Sequence, residues 1–325
     1  MKKLMVVLTV GVLVLLTSKG AAAAGYQRVE VPASGAEPAI TAMVWSPCAD
    51  APVTAELGPY DVSGSPGCAI EGESLPLVVI SHGHMGTLLG HHDTATALAD
   101  AGFVVVSLNH PGDTFGDDSG AYRVAIFESR PRDVSRVLSF MLEEWPARGQ
   151  LDAEAVGVFG FSRGGYTALA LAGAKPDVTA AGQRLCGRWW SLIMPMCREI
   201  RFSAPELKPQ ADPRIRAAVV VDPLNLFDDA GLQSVRVPVQ LWASELGGDG
   251  VEFEHIEAIR TALPQAPEYH VAKGAGHFAY LAPCAPRLAE TAREICEDPE
   301  GFDRAAWHRS MNETVVAFLK RHLLR

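Results

Sequence analysis

The sequence predicts an α/β fold, a mostly parallel twisted sheet with helices on both faces. Three observations predict it. From Pro76 onward, short buried-type apolar runs alternate with amphipathic segments. Those runs, such as Leu77 to Ile80 and Phe103 to Leu108, are continuously apolar, as in strands covered on both sides. One of them, Ala155 to Phe159, enters Gly160-Phe161-Ser162-Arg163-Gly164 and then a small-residue helical run from Tyr166 to Ala174, the pattern of a sharp turn between strand and helix.

Taken in order, the chain opens with Lys2 and Lys3, the apolar run Leu4 to Leu16 and Ala21-Ala22-Ala23-Ala24, the three sections of a secretory signal peptide. The run is too short to span a bilayer comfortably, and cleavage is expected after about Ala24. No cysteine stands near that point, which speaks against a lipid-anchored form. Loss of Lys2, Lys3 and Lys19 takes the formal charge from −10 to −13. An acidic surface without basic clusters argues against nucleic acid and anionic membranes as partners. With 48% hydrophobic residues, the remaining 25–325 can bury one large core, so one catalytic domain is expected, exported to the periplasm or beyond.

Gln27 to Val31 and Ala39 to Trp45 read as short strands at an antiparallel edge. Pro47 to Leu75, rich in Gly, Pro, Ser and Ala, reads as a loop. Further strands are expected at Ala217 to Val221, Val237 to Trp242 and Tyr269 to Ala272. Helices are expected from Thr94 to Ala101, ended by Gly102, from Arg132 to Trp145 with Pro131 near its start, and from Asp303 to Leu323. About forty residues, 175–214, interrupt this rhythm as a cap insertion over the C-terminal ends of the strands, where ligands bind in open sheets. Its Trp189, Trp190 and Met194 would line a pocket for an acyl or other apolar group, or would pack the cap onto the domain.

Six cysteines in an exported chain suggest disulfides, and although six allow fifteen connectivities, proximity pairs Cys48 with Cys68, Cys186 with Cys197 and Cys284 with Cys296. A metal site would call for a Cys-x-x-Cys spacing that the chain lacks.

The chemistry begins with Ser162, lifted out of the sheet at the Gly-x-Ser-x-Gly turn with a helix N-terminus beneath it. A serine hydroxyl needs a base, and His277 lies just past the strand Tyr269 to Ala272, after glycines that let the loop bend over the site. A third group must orient the imidazole: Asp222 ends the strand Ala217 to Val221, while Glu245 and Asp249 follow the next strand. The amides of His84, in the turn Ser81-His82-Gly83-His84, and of Arg163 would receive an oxyanion. His82 and His84 lack a carboxylate partner at metal-ligand spacing, so neither a metal nor a cofactor is expected.

These motifs resemble the α/β-hydrolases known as predicted dienelactone hydrolases and, more distantly, plasma-type platelet-activating factor acetylhydrolases and related bacterial lipases. The carrying residues are Ser81-His82-Gly83, Asn109-His110-Pro111-Gly112-Asp113-Thr114, Gly160 to Gly165, and Gly274-Ala275-Gly276-His277-Phe278 with Cys284 after it. The resemblance implies the α/β-hydrolase fold, Asp222 as the acid, and the amides of His84 and Arg163 as oxyanion donors. The lipases would place the acid after the following strand, at Asp249 or Glu245. True dienelactone hydrolases use cysteine where this chain has Ser162. The expectation is an exported serine hydrolase that cleaves carboxylic esters of small or lipid-like molecules through an acyl-enzyme. A peptidase or polyester hydrolase on the same scaffold, or a catalytically silent binding module, are the rivals.

Overall fold

The computed structural model describes residues 23–179, 182, 186, 194–203, 206–208 and 210–324. Its frame is one sheet of strands β1 (Ala23–Val31), β2 (Ile40–Cys48), β3 (Val53–Leu57), β4 (Tyr60–Pro66), β5 (Leu75–Ser81), β6 (Val104–Leu108), β7 (Leu151–Phe161), β8 (Ile215–Val221), β9 (Val239–Ser244) and β10 (Glu268–Ala272). Their order is β10-β9-β8-β7-β5-β6-β2-β1-β4-β3. From β10 to β6 every pairing is parallel, and β2 then joins β6 and β1 antiparallel.

The continuous apolar runs have the expected cause. In β5, Leu77 and Val79 enter one core while Val78 and Ile80 enter the other, because successive side chains point to opposite faces. Helices α2 (Ile126–Ser139) and α3 (Arg163–Leu171) cover the first face. Helix α1 (His92–Asp100) and the closing helix Arg304–Leu323 cover the second. The closing helix begins at Asp303, whose carboxylate accepts a hydrogen bond from the Ala306 amide at 2.9 Å, a side-chain N-cap.

Two expectations are corrected here. Pro47 to Leu75 is not a plain loop, since it contains the hairpin β3–β4, whose Cβ pattern is masked in the sequence by Gly58 and Gly64 in left-handed backbone. The helix read from Arg132 starts six residues earlier, at Ile126, so Pro131 sits inside α2 rather than near its start. A proline there has no N–H for the carbonyl of Phe127, and that oxygen instead accepts the buried Tyr166 hydroxyl at 3.0 Å. In the described parts of the insertion, Val178, Met196, Ile200 and Leu207 are buried in the core, Glu199 accepts from the Val124 amide at 3.2 Å, and the Lys208 amide donates to Glu128 at 2.7 Å. These parts pack against the start of α2.

The disulfides are Cys48–Cys68, Cys186–Cys197 and Cys284–Cys296. No described helix is long and apolar enough to cross a membrane. Residues 1–22 of the expected signal peptide lie outside the described residues; Ala23 and Ala24, at its end, pair with Cys48 and Pro47.

Candidate active site

Strand β7 delivers Ser162 on a bend that its neighbours make sterically possible. Ser162 has φ +55° and ψ −116°, a backbone that a side-chain-bearing residue adopts only under constraint. The constraint is glycine on either side: a Cβ on Gly160 would overlap the carbonyl of Gly164, and one on Gly164 would overlap the carbonyl of Ser81. On Gly165 it would sit 2.8 Å from Pro223. The bend is tied to β8, since the Ser162 amide donates to Val221 O at 2.9 Å and the Leu224 amide donates to Ser162 O at 3.0 Å.

His277 reaches the same place from the loop after β10. Its amide donates to Gly247 O at 2.8 Å, and its ring lies 4.7 Å from that of Phe161, the residue before Ser162. Nδ1 stands 2.6 Å from Asp222 Oδ2, so Nδ1–H donates to the carboxylate and the lone pair is left on Nε2. Nε2 is buried and has no hydrogen-bond partner among the described residues, while Ser162 and His277 line one cavity. Asp222, fully buried, also accepts from the Ser244 amide at 2.8 Å and the Ser244 hydroxyl at 2.7 Å. Ser244, at the end of β9, was not legible as part of the site.

The other two carboxylates do other things. Glu245 accepts from Lys273 Nζ and the Gly274 amide, both at 2.8 Å, which pins the loop that carries His277. Asp249 is exposed at the cavity, with φ +50°. Neither replaces Asp222 at the imidazole.

Across the cavity from the base loop, Gly83 lets the turn after β5 lie against the bend, for a Cβ there would be 3.2 Å from Ser162 Cβ. His84 follows it. Arg163 is the first residue of α3, where an amide has no partner within its own helix. His82 and His84 are engaged elsewhere: His82 Nδ1 lies 2.6 Å from Gly83 O, and His84 Nδ1 lies 2.9 Å from Asp113 Oδ1. The cavity holds about 270 Å³. Met194 is not among the residues that line it, Trp189 and Trp190 lie outside the described residues, and among the described residues Phe278, Leu281, Leu288, Ala292 and Ile295 form an apolar wall. That segment is bridged by Cys284–Cys296.

A family model described as serine aminopeptidase, S33 (Hydrolase_4) matches residues 72–222, which include the bend and Asp222. Among solved structures, a ferulic acid esterase from Streptomyces cinnamoneus aligns with a TM-score of 0.64 at 18% identity, over 93% of this chain and 90% of that one. The chain has the α/β-hydrolase fold. Among curated protein sequences none is significantly similar to it.

Within this α/β-hydrolase fold, a buried charge cluster supports the turn and the bend together. Asp113 Oδ2 accepts from Arg130 Nη1 at 2.7 Å and from Arg163 Nη1 at 3.0 Å, while Oδ1 accepts from the Met85 amide at 3.0 Å and meets His84. Burial alone would raise the Asp113 carboxyl, but Arg130, with His84 and Arg163, outweighs it and holds it well below the usual carboxylate range. Arg130 also donates to the carbonyl of His82. Nearby, burial lifts Asp133 to about 7 against the pull of Arg130, and it pushes His110 well below its ordinary value. The two meet at 3.1 Å, with His110 Nε2 on Ser81 Oγ at 2.9 Å. Charged residues 17 to 50 positions apart give no periodic signal, so sequence reasoning missed this cluster.

Proposed function

We propose that this protein is an exported serine hydrolase that cleaves carboxylic esters through an acyl-enzyme, like the dienelactone hydrolase and acetylhydrolase families its motifs resemble. Ser162 attacks the ester carbonyl while His277 Nε2 takes the hydroxyl proton, and Asp222 holds the tautomer that leaves Nε2 free and stabilises the imidazolium. The amides of His84 and Arg163 receive the oxygen that becomes negative. His277 then returns its proton to the departing alcohol, and a water repeats the sequence to release the acid. One observation carries the reading: a strained serine and a histidine whose only open nitrogen is buried share one cavity, with a carboxylate 2.6 Å behind the imidazole. The missing serine-histidine hydrogen bond is one that commonly closes only when substrate is bound. The disulfides support an oxidising compartment.

A fluorophosphonate probe tests the proposal, with the adduct expected on Ser162 by mass spectrometry. Ser162→Ala should lose labelling and at least about 10³-fold of the turnover of p-nitrophenyl acetate with its circular dichroism unchanged. Labelling elsewhere, or activity retained in that variant, overturns it.

One observation favours a peptidase as the second reading. Asp249 is the acidic residue at the cavity that does not serve the imidazole, and a carboxylate there suits a free α-ammonium group. Hydrolysis of an aminoacyl p-nitroanilide, abolished in Asp249→Asn, would favour it over the ester.

A further inference from the structure

The cavity at Ser162 is small, just under the roughly 300–1,000 Å³ usual for small-molecule sites. A second, open groove of about 800 Å³ shares Pro59, Tyr60, Thr87 and Phe115 with it and runs on across β1 and the β3–β4 hairpin to Tyr26, Arg28 and Gly67. The junction is built rather than incidental. Phe115 is 78% exposed, yet its backbone is fixed, because its amide donates to Gly86 O at 2.9 Å and the Thr114 hydroxyl donates to the same oxygen at 2.8 Å. Gly86 belongs to the turn that carries His84. On the opposite rim, the Thr87 hydroxyl donates to Tyr60 Oη at 3.2 Å, and the hairpin bearing Tyr60 follows the Cys48 end of the first disulfide. An exposed aromatic ring carried on a fixed stretch of backbone at the mouth of a reactive cavity offers a flat apolar surface whose backbone needs no further ordering.

We infer that this groove is a second substrate subsite, taking the long apolar or aromatic arm of an ester whose short arm and carbonyl occupy the cavity, with Phe115 as the platform at the crossing. The inference rests on the proposed ester hydrolysis. The substrate's own distal arm is the occupant because the groove adjoins the cavity that holds Ser162, the two sharing Pro59, Tyr60, Thr87 and Phe115 as walls. Among the described residues Arg28 is the one charged side chain on its lining, so the arm is uncharged or ends in an anion.

The test compares three esters on the wild type and on Phe115→Ala and Phe115→Tyr: p-nitrophenyl acetate, p-nitrophenyl dodecanoate with a long acyl arm, and dodecyl acetate with a long alcohol arm. Phe115→Ala should raise KM for one of the two long esters, relative to that for p-nitrophenyl acetate, by about tenfold, and Phe115→Tyr should restore it. The ester affected tells which arm crosses Phe115. Equal KM ratios in all three proteins for both long esters overturn the inference. So does a concentration-dependent dimer, seen by sedimentation, that Phe115→Ala dissociates, since the groove would then be a self-interface. Fluorophosphonate labelling of Ser162 in each protein separates failure of the subsite from failure of the hydrolase reading, because a protein that labels and turns over the short ester has only the subsite in question.

Discussion

Asp113→Asn is the substitution that tests most of the site at once. Asp113 is fully buried, as is Arg130, and Arg163 is nearly so. Neutralising the carboxylate leaves two guanidinium groups facing an amide in a dry environment, and breaking a buried pair from one side costs about 3–5 kcal/mol. With an unfolding entropy of about 2.1 cal/mol/K per residue, that lowers the melting temperature by roughly 5–8 °C for a domain of this size. The same carboxylate holds the side chains of both His84 and Arg163, whose amides are the proposed oxyanion donors, so kcat should fall about 10–100-fold, short of the about 10²–10³ for deleting a donor outright. The pH dependence has a definite sign. Because the folded carboxyl is held below its unfolded value, its contribution is present above about pH 4 and is lost as the pH falls below that. The melting difference between wild type and variant should therefore be full at pH 7 and shrink on acidification below about pH 4. Thermal melts by circular dichroism across pH, with p-nitrophenyl acetate kinetics beside them, measure both effects. A variant that melts within about 1 °C of the wild type at pH 7 and keeps its kcat would refute the reasoning.

Two further outcomes follow from the geometry. Asp222→Asn should reduce kcat on the order of 10⁴-fold with the fold intact, because an amide at the imidazole favours the tautomer that presents an N–H to Ser162; stopped assays with p-nitrophenyl acetate and a far-ultraviolet spectrum decide it. Gly164→Ala forces a methyl group onto the carbonyl of Ser81 and should destabilise by about 3 kcal/mol or more, read as lost soluble yield or a lowered melting temperature, and a stable, active Gly164→Ala protein would mean the bend is not built as described.

The parallel strands were legible because they are buried on both faces, which writes an unbroken apolar run such as Val104 to Leu108 into the chain. Ser162 and His277 were legible from order along those strands, each just past a strand end, whereas that order left Asp222 beside Glu245 and Asp249 and only the resemblance favoured Asp222. The β3–β4 hairpin was not, because its outer strand Val53–Leu57 is half exposed and buries too little to show alternation above its Gly and Pro background. Pro131 misled the start of α2 because the Tyr166 hydroxyl that satisfies the freed Phe127 carbonyl comes from a different helix. Trp189 and Trp190 lie outside the described residues; among those described, an apolar wall of the cavity lies in a short segment, 278–295, whose apolar residues have no long run or period to draw notice.

Each of the three disulfides joins cysteines only 20, 11 and 12 positions apart. Contour length therefore does the sorting of partners before any tertiary structure exists, since crossing from one couple to the next, as in Cys68 to Cys186, closes a loop roughly three doublings longer at about 2 kcal/mol more entropy. Oxidation can thus run ahead of sheet assembly without scrambling, and each clasp reaches the folded molecule as a local rivet, with Cys48 and Cys197 buried.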